Sequence, residues 1–330
     1  MSLSRPNARI TLDSRELGAD EAALVRLQID LAVNGSHDQA VLQLWPRSKF
    51  ADAAAGATLS IKLGERDSEE DVWAGEVSAR RLSPQAVVLE GLAATVALSR
   101  TAKSQSYLNQ SVADIVRDLA GSAKIDQAQG SLKLNAYHVD NRRPVWSHLR
   151  ALARLVGADL GSAPDGGLRF MPAAGASSPL TLRYGAELLD WNLALHAAPQ
   201  AAAVAAYGSA SESGTARWHW LAHDPVGAGA ATTRLPPALS TRDAAQAVSD
   251  ATQKRAERAA VSGELLIAGN PAIRPGDAVE PTGVPGGAPG VLRVRAVRHT
   301  FDATSGFLTR LQVEGGEGGG GILGALGGLL

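Results

Sequence analysis

Val291-Leu-Arg-Val-Arg-Ala-Val-Arg-His-Thr300 and Gly306-Phe-Leu-Thr-Arg-Leu-Gln-Val313 flank the short polar stretch Phe301–Ser305. In the second segment Phe307, Leu311 and Val313 fall on one side of an extended chain, while Arg310 and Gln312 fall on the other. Side chains alternate faces in a strand, so this spacing predicts a β-hairpin with one buried face. A one-residue slip would turn the apolar set to solvent, so the pattern also specifies the register.

Working outward, Gly263–Ala268 and Asp277–Glu280 read as short strands. Gly276 precedes the second of them, and Val297 lies 21 residues further on. Near the other end, Gly56 precedes the strand candidate Thr58–Leu63, and Val77 again lies 21 residues on. Each of these valines sits in a strand that leads through an Arg-containing turn into a return strand. The echo predicts two related small β barrels at opposite ends of the chain. Period-two patterning at Leu24–Asn34, a strand near Val41–Trp45 and further strands at Val72–Arg80 and Ala86–Gly91 complete the first.

Between them the period changes. Ser111 stands where a helix N-cap belongs; Val112, Ile115, Val116 and Leu119 follow at helical spacing, and Gly121 supplies a stop, so residues 112–120 read as a helix. Pro144 in a first turn, then Val145, Leu149, Leu152 and Val156 on one face before Gly157, predict a second. Lys133–Val139 and Leu168–Met171 are short strands beside them. Beyond Leu180 the β pattern returns at Trp191, Leu193 and Leu195, at Ala201–Tyr207 and at Thr215–Ala222. A helix at Thr241–Ala260 has only a narrow stripe of Ala244, Ala245, Val248 and Ala251, so it is expected to lie shallowly on a surface or interface. The expected class is α+β, mainly β: a first barrel over 1–100, an α/β insert over 101–178, a second barrel over 179–315 with the helix near 241–260, and a Gly-rich tail over 316–330 with an apolar end.

Composition excludes several chemistries. With 0 cysteines there are no disulfides, thiolate metal sites or cysteine nucleophiles, which suits folding in a reducing cytoplasm. A formal net charge of −1 gives no global field for phosphate backbones, so direct nucleic-acid recognition is not expected. Met1–Ala8 lacks the apolar run of a signal peptide, and no stretch approaches the roughly 18–20 apolar residues of a membrane span. No phosphate-binding glycine loop, nucleophile elbow or His-Glu-x-x-His helix is present. His219 and His223 on a strand would stand about 13 Å apart at about 3.3 Å per residue, too far to share a zinc ion. His299 reads as a hydrogen-bonded structural residue, and Glu69, Glu70 and Asp71 as a solvated charged loop. No catalytic, cofactor or metal residue is assigned.

The residues resemble the late control D proteins, which are similar to the hub portion of VgrG spikes and to the hub of contractile phage baseplates. The resemblance rests on four ordered pieces: Val72-Trp-Ala-Gly-Glu-Val77 with Val87-Val-Leu-Glu-Gly-Leu92; Tyr107-Leu-Asn-Gln-Ser-Val-Ala-Asp-Ile-Val116; Arg143-Pro-Val-Trp-Ser-His-Leu149 with Leu152, Ala153 and Gly157; and Arg274-Pro-Gly-Asp277 with Val294–Val297, His299, Gly306, Phe307 and Thr309. The chain departs from the family where acidic residues before the helix Leu are replaced by Ser147 and His148.

What the resemblance implies is a structural, non-enzymatic part of a virion tail baseplate or tail-like injection particle. In it, three chains with two tube-like barrels each form a pseudo-sixfold ring between a hexameric tail tube and a trimeric spike. Because VgrG chains carry the spike behind the hub and this chain ends sooner, the spike is expected to be a separate protein. The implied partners are two further copies, the tube protein, the spike and central tail proteins such as a tape measure, with no cofactor. Ile322, Leu323, Leu326, Leu329 and Leu330, behind a glycine tether, are either a disordered end or a plug that docks on the spike or another central tail protein, at about 1.5–3 kcal/mol per buried side chain. Arg293, Arg295 and Arg298 crowd one hairpin strand and are either a solvated face or a contact with acidic residues of a neighbouring subunit. A peptidoglycan-cleaving hub and a carbohydrate-binding β module are the alternative readings.

Overall fold

The computed structural model of the chain describes residues 6–173, 178–196, 203–205, 207–209, 220–222, 232–234, 241–285 and 290–316. The N-terminal strands are β1 (Pro6–Leu12), β2 (Arg15–Gly18), β3 (Leu24–Ala32), β4 (Gln39–Leu44), β5 (Thr58–Glu65), β6 (Ser68–Leu82) and β7 (Val87–Ala93). A 3-10 turn at Ala94–Val96 leads to α1 (Ala97–Arg100), β8 (Gln105–Ser111), α2 (Val112–Ala120), β9 (Ile125–Ala128), β10 (Lys133–Val139), α3 (Val145–Val156), β11 (Ala158–Ser162) and β12 (Leu168–Pro172). Then come β13 (Leu180–Arg183), β14 (Leu188–Leu195), the short β15 (Ala203–Ala205), β16 (Tyr207–Ser209), β17 (Trp220–Ala222) and β18 (Thr232–Arg234), α4 (Arg242–Arg258), β19 (Val261–Ala268), β20 (Ala278–Thr282), β21 (Leu292–Asp302) and β22 (Gly306–Gly315).

The elements form for the local reasons their residues supply. Ser111 accepts a hydrogen bond from the Asp114 amide at the start of α2, and Gly121 ends it at φ +58°. α3 begins one residue after Pro144, which stands at the N-cap, and Gly157 ends it in the left-handed conformation that a β-carbon disfavours. Thr241 caps α4, whose Ala244, Ala245 and Val248 are buried against Leu155 of α3. Within the stretch expected as a strand from Ala201 to Tyr207, Ala203–Ala205 pairs with β18, and Tyr207 belongs to Tyr207–Ser209, which pairs with β17. Trp218, His219 and His223 lie outside the described residues, as does the tail from 317 onward.

The molecule is mainly β, and its organising feature is a large curled sheet of 13 strands in the order β14-β19-β22-β21-β3-β4-β7-β6-β5-β1-β2, with β20 on β21 and β13 on β20. All its pairings are antiparallel except β13–β20. Strands from the two ends of the chain meet in mid-sheet, where Val297 of β21 stands opposite Leu31 of β3 and His299 opposite Ile29. One apolar cluster follows from this union, running from Ile10, Leu27, Ile29 and Trp73 through to Leu265, Val294, Val297 and Leu311. A second cluster forms where α2 and α3 pack with Tyr107, Leu134, Trp146 and Phe170. No helix among the described residues is long and apolar enough to cross a membrane.

Candidate functional site

Five strands in each part of the large sheet repeat one another in order and pairing. β3-β4-β7-β6-β5 and β14-β19-β22-β21-β20 have the same neighbours and arise in the same order along the chain. The correspondence reaches single residues. Register shifts fall at Leu24/Arg26 against β4 and at Leu188/Asp190 against β19. They fall again at Val77/Ala79 against β7 and at Val294/Ala296 against β22. A bulge pins register and bends its strand, so two bulges at matching places give both units the same curvature.

The turn that feeds each long strand is built alike. The Gly56 amide donates to the Val77 carbonyl at 2.8 Å, and the Val77 amide donates to the Ala57 carbonyl at 2.9 Å. In the second unit the Gly276 amide donates to the Val294 carbonyl at 2.8 Å, and the Val294 amide donates to the Asp277 carbonyl at 2.8 Å. Both glycines have positive φ, +87° and +102°. The counterpart of Val77 is therefore Val294, not Val297 as the equal spacing of 21 residues suggests; the second connection is three residues shorter.

The three hairpin arginines have separate fates. Arg293 is buried, its guanidinium donating to Asp159 of β11 and, at 2.7 Å, to Glu314 of β22. Arg298 meets Asp30 of β3 across the seam between the units, with Nε 2.5 Å from the carboxylate. Arg295 donates to Gln312 at 3.3 Å on the exposed face. Glu69, Glu70 and Asp71 lie in β6 and not in a loop; the Glu69 side chain is 5% exposed, accepts a hydrogen bond from the Asn7 side-chain amide and forms an ion pair with Arg9.

Where the units and the helical part meet, side chains distant in sequence converge. Arg274 donates to the carbonyls of Asp71 (2.5 Å) and Val72 (2.8 Å) in β6, and Asp277 accepts from the Arg274 amide, so the Arg274-Pro-Gly-Asp277 turn clamps the first unit to the second. Asn34, at φ +59°, accepts from the Leu160 amide and donates to the Ala158 carbonyl, docking β11 on the β3–β4 connection. Asp38 lies beside a cavity of about 250 Å³ lined also by Asp159, Arg169, Arg274 and Asp277. Burial pushes its carboxyl up to about 7, against hydrogen bonds from Ala32 and Ser162 and the charge of Arg274.

His148, in the position where acidic residues were expected, is fully buried, with Nε2 2.9 Å from the Asp140 carbonyl and Nδ1 3.4 Å from Arg143; it ties down the loop before α3. His299 is also fully buried, with Nδ1 3.0 Å from the Thr309 hydroxyl. A neighbouring cleft of about 540 Å³ is lined by Arg150, Arg154, Lys254, Arg255 and Arg295, with α4 as one wall. Burial, with Arg154 and Arg258 close by, lowers the affinity of Arg255 for its proton.

The ends of β6 and β14 lie at edges of the large sheet. Leu82 at the end of β6 is 65% exposed and Leu195 at the end of β14 is 52% exposed, although Val72, Trp73 and Val77 of β6 are buried and Trp191 and Leu193 of β14 are partly buried against the same core. A lone leucine at a strand end carries no signal until its neighbours in the sheet are known.

A family model, the Alg8 N-terminal domain, matches residues 28–217, more than half of the chain. The chain belongs to that family. No curated protein matches the sequence. Among solved structures it is similar to the tail protein of Neisseria meningitidis MC58, with TM-score 0.69 and 16% identity over 94% of this chain and 96% of that one. It is similar to the 43 kDa tail protein of prophage MuSo2 from Shewanella oneidensis, with TM-score 0.67 and 11% identity over 93% and 98%. A third is the Escherichia coli c3393 protein, a type VI secretion component described as similar to T4 bacteriophage tail proteins gp27 and gp5, with TM-score 0.59 and 11% identity over 94% and 75%. At these identities the likeness is one of fold: this chain has the fold of phage tail and type VI secretion tail-like proteins.

Proposed function

We propose that this chain is the structural hub of a contractile tail baseplate or tail-like injection particle, related to the late control D and VgrG hubs. Three copies form a ring that joins a hexameric tail tube to a separate trimeric spike, without catalysis. The observation that carries this reading is the repetition of one five-strand unit within the chain, with the same strand order, two bulges at matching places and a matching glycine turn. Three chains with two like units each present six like units around an axis, which matches a sixfold partner on one face while the chain itself remains threefold for the other. The two units act as tube-like barrels and the helical part between them as a peripheral insert. The shared fold with phage and secretion tail proteins supports the same reading.

Within this reading the chain works in a virion tail or tail-like particle, and Ile322, Leu323, Leu326, Leu329 and Leu330 dock on the spike. Light scattering of the purified chain, alone and co-expressed with tube and spike proteins from the same particle, tests it. A mass of three chains is expected; a monomer under both conditions rejects the hub. Truncation after Gly315 is expected to abolish spike copurification, and undiminished recovery of spike rejects the docking role of the tail.

A further inference from the structure

Both halves of an unmade strand pairing are present in each chain. β14 ends the sheet on one side, and among the described residues its outer edge has no partner strand. In β6, pairing with β5 stops at Glu76, so Ala79–Leu82 is hydrogen-bonded to β7 on one side and to no strand on the other among the described residues. Exposed edges of this kind are templates for further strands.

The rest of the sheet shows what belongs there. The counterpart of β14 is β3, and its outer edge is covered: Ala296–Asp302 of β21 pairs with Ala32–Arg26. β21 is in turn the counterpart of β6, and its covered stretch begins just after the bulge at Val294, as the bare stretch of β6 begins just after the bulge at Val77. Exposure follows this difference. Leu31 of β3 is 5% exposed and His299 of β21 is 0% exposed, whereas their counterparts Leu195 and Leu82 are 52% and 65% exposed.

We propose that β14 of one copy pairs antiparallel with Ala79–Leu82 of a second copy, repeating between chains the β21–β3 seam found within each chain. Carrying the register across, Val297 opposite Leu31 becomes Arg80 opposite Leu195, Arg298 opposite Asp30 becomes Arg81 opposite Ala194, and His299 opposite Ile29 becomes Leu82 opposite Leu193. The contact is head-to-tail: the two surfaces differ, so it generates a ring or an open chain of copies and never a closed twofold dimer. The ion pair of Arg298 with Asp30 has no counterpart, because Ala194 takes the acid's place and Arg81 is paired with Glu90 in its own chain. Backbone hydrogen bonds and the burial of Leu82, Leu193 and Leu195 hold the seam, which makes it insensitive to salt. The pairing rests on the hub reading only for the number of copies that close the ring.

The chain has 0 cysteines, so introduced thiols report without background. Leu82→Cys and Leu193→Cys chains, co-expressed and oxidised, are expected to form a disulfide-linked dimer that neither variant forms alone. Ile29→Cys combined with His299→Cys in one chain is the matched internal control. Cross-linking in either single variant alone overturns the head-to-tail geometry, and failure of the mixture while the control closes overturns the pairing. In parallel, Leu195→Glu is expected to reduce the particle to the mass of one chain, 34.1 kDa, with its melting temperature retained; an unchanged mass overturns the interface. A three-chain mass without the Leu82–Leu193 cross-link rejects this seam and leaves the hub reading standing. A monomer with and without tail partners rejects both.

Discussion

Arg298 and Asp30 face one another across the seam that joins the two strand units, 268 residues apart in sequence and 2.5 Å apart at the guanidinium Nε. Both side chains remain partly in water, at 51% and 34% exposure, so solvent screens most of their attraction. Arg298→Ala is expected to cost less than about 1 kcal/mol in urea denaturation. A larger loss would mean that the ion pair, and not the apolar contact of Val297 with Leu31 beneath it, holds the seam.

Arg293, four residues nearer the strand's start than Val297, behaves differently because it is 5% exposed and holds two carboxylates, Asp159 and Glu314. Arg293→Met leaves those acids half-buried without their cation, which costs about 3–5 kcal/mol when a buried pair loses one partner. The same urea titration checks it. Combining Arg293→Met with Asp159→Asn and Glu314→Gln is expected to recover much of the loss, since the uncompensated charges are then gone.

Two buried groups give stability opposite pH slopes. Burial, then the nearby Arg274 charge, pushes the His299 imidazole down to about 3 from 6.5, so the unfolded chain binds the proton that the folded chain refuses. That contribution is fully present above about pH 6.5 and is lost as pH falls towards 3. Asp38, pushed up to about 7 from 3.8, is protonated in the folded chain at pH values where the unfolded chain is ionised. Its contribution is fully present below about 3.8 and is lost as pH rises through 7. Relative to the parent, Asp38→Asn is therefore expected to gain stability as pH rises from 4 to 7, and His299→Gln to gain it as pH falls over the same range. Chemical denaturation at half-unit pH steps reads both.

Gly56 and Gly276 occupy like turns with positive φ, and their alanine variants are expected to lose similar stability, about 1 kcal/mol each from left-handed backbone strain. A β-carbon at Gly56 meets nothing within 4 Å, while one at Gly276 stands 3.3 Å from Asp159 Oδ2, so Gly276→Ala is expected to be slightly the worse. Thermal melts of the two variants check this. A twofold or greater disparity would show that the turns are not equivalent in energy.

The local elements were legible in the residues because each is written within a few positions. Leu27, Ile29 and Leu31 alternate and are buried; Ser111 and Gly121 bracket α2; Phe307, Leu311 and Val313 face the core. The repeated glycine turn was legible too, though its partner was misplaced by three residues, because glycine spacing says nothing about which carbonyl the turn amide reaches. Arg293, Arg295 and Arg298 read alike on one strand yet differ in the fold, since their partners Asp159, Gln312 and Asp30 come from separate elements.

The sequence by itself determined strands, helices, caps and the likeness of the two ends, all set by periodicity and backbone preference over short spans. Only the tertiary structure decided that those ends share one sheet and one core, that Arg274 and Asn34 lock distant elements together, and which edges stay bare. Pairing between strands hundreds of residues apart depends on shape and hydrogen-bond register across the whole sheet, and no short stretch of residues encodes that sum.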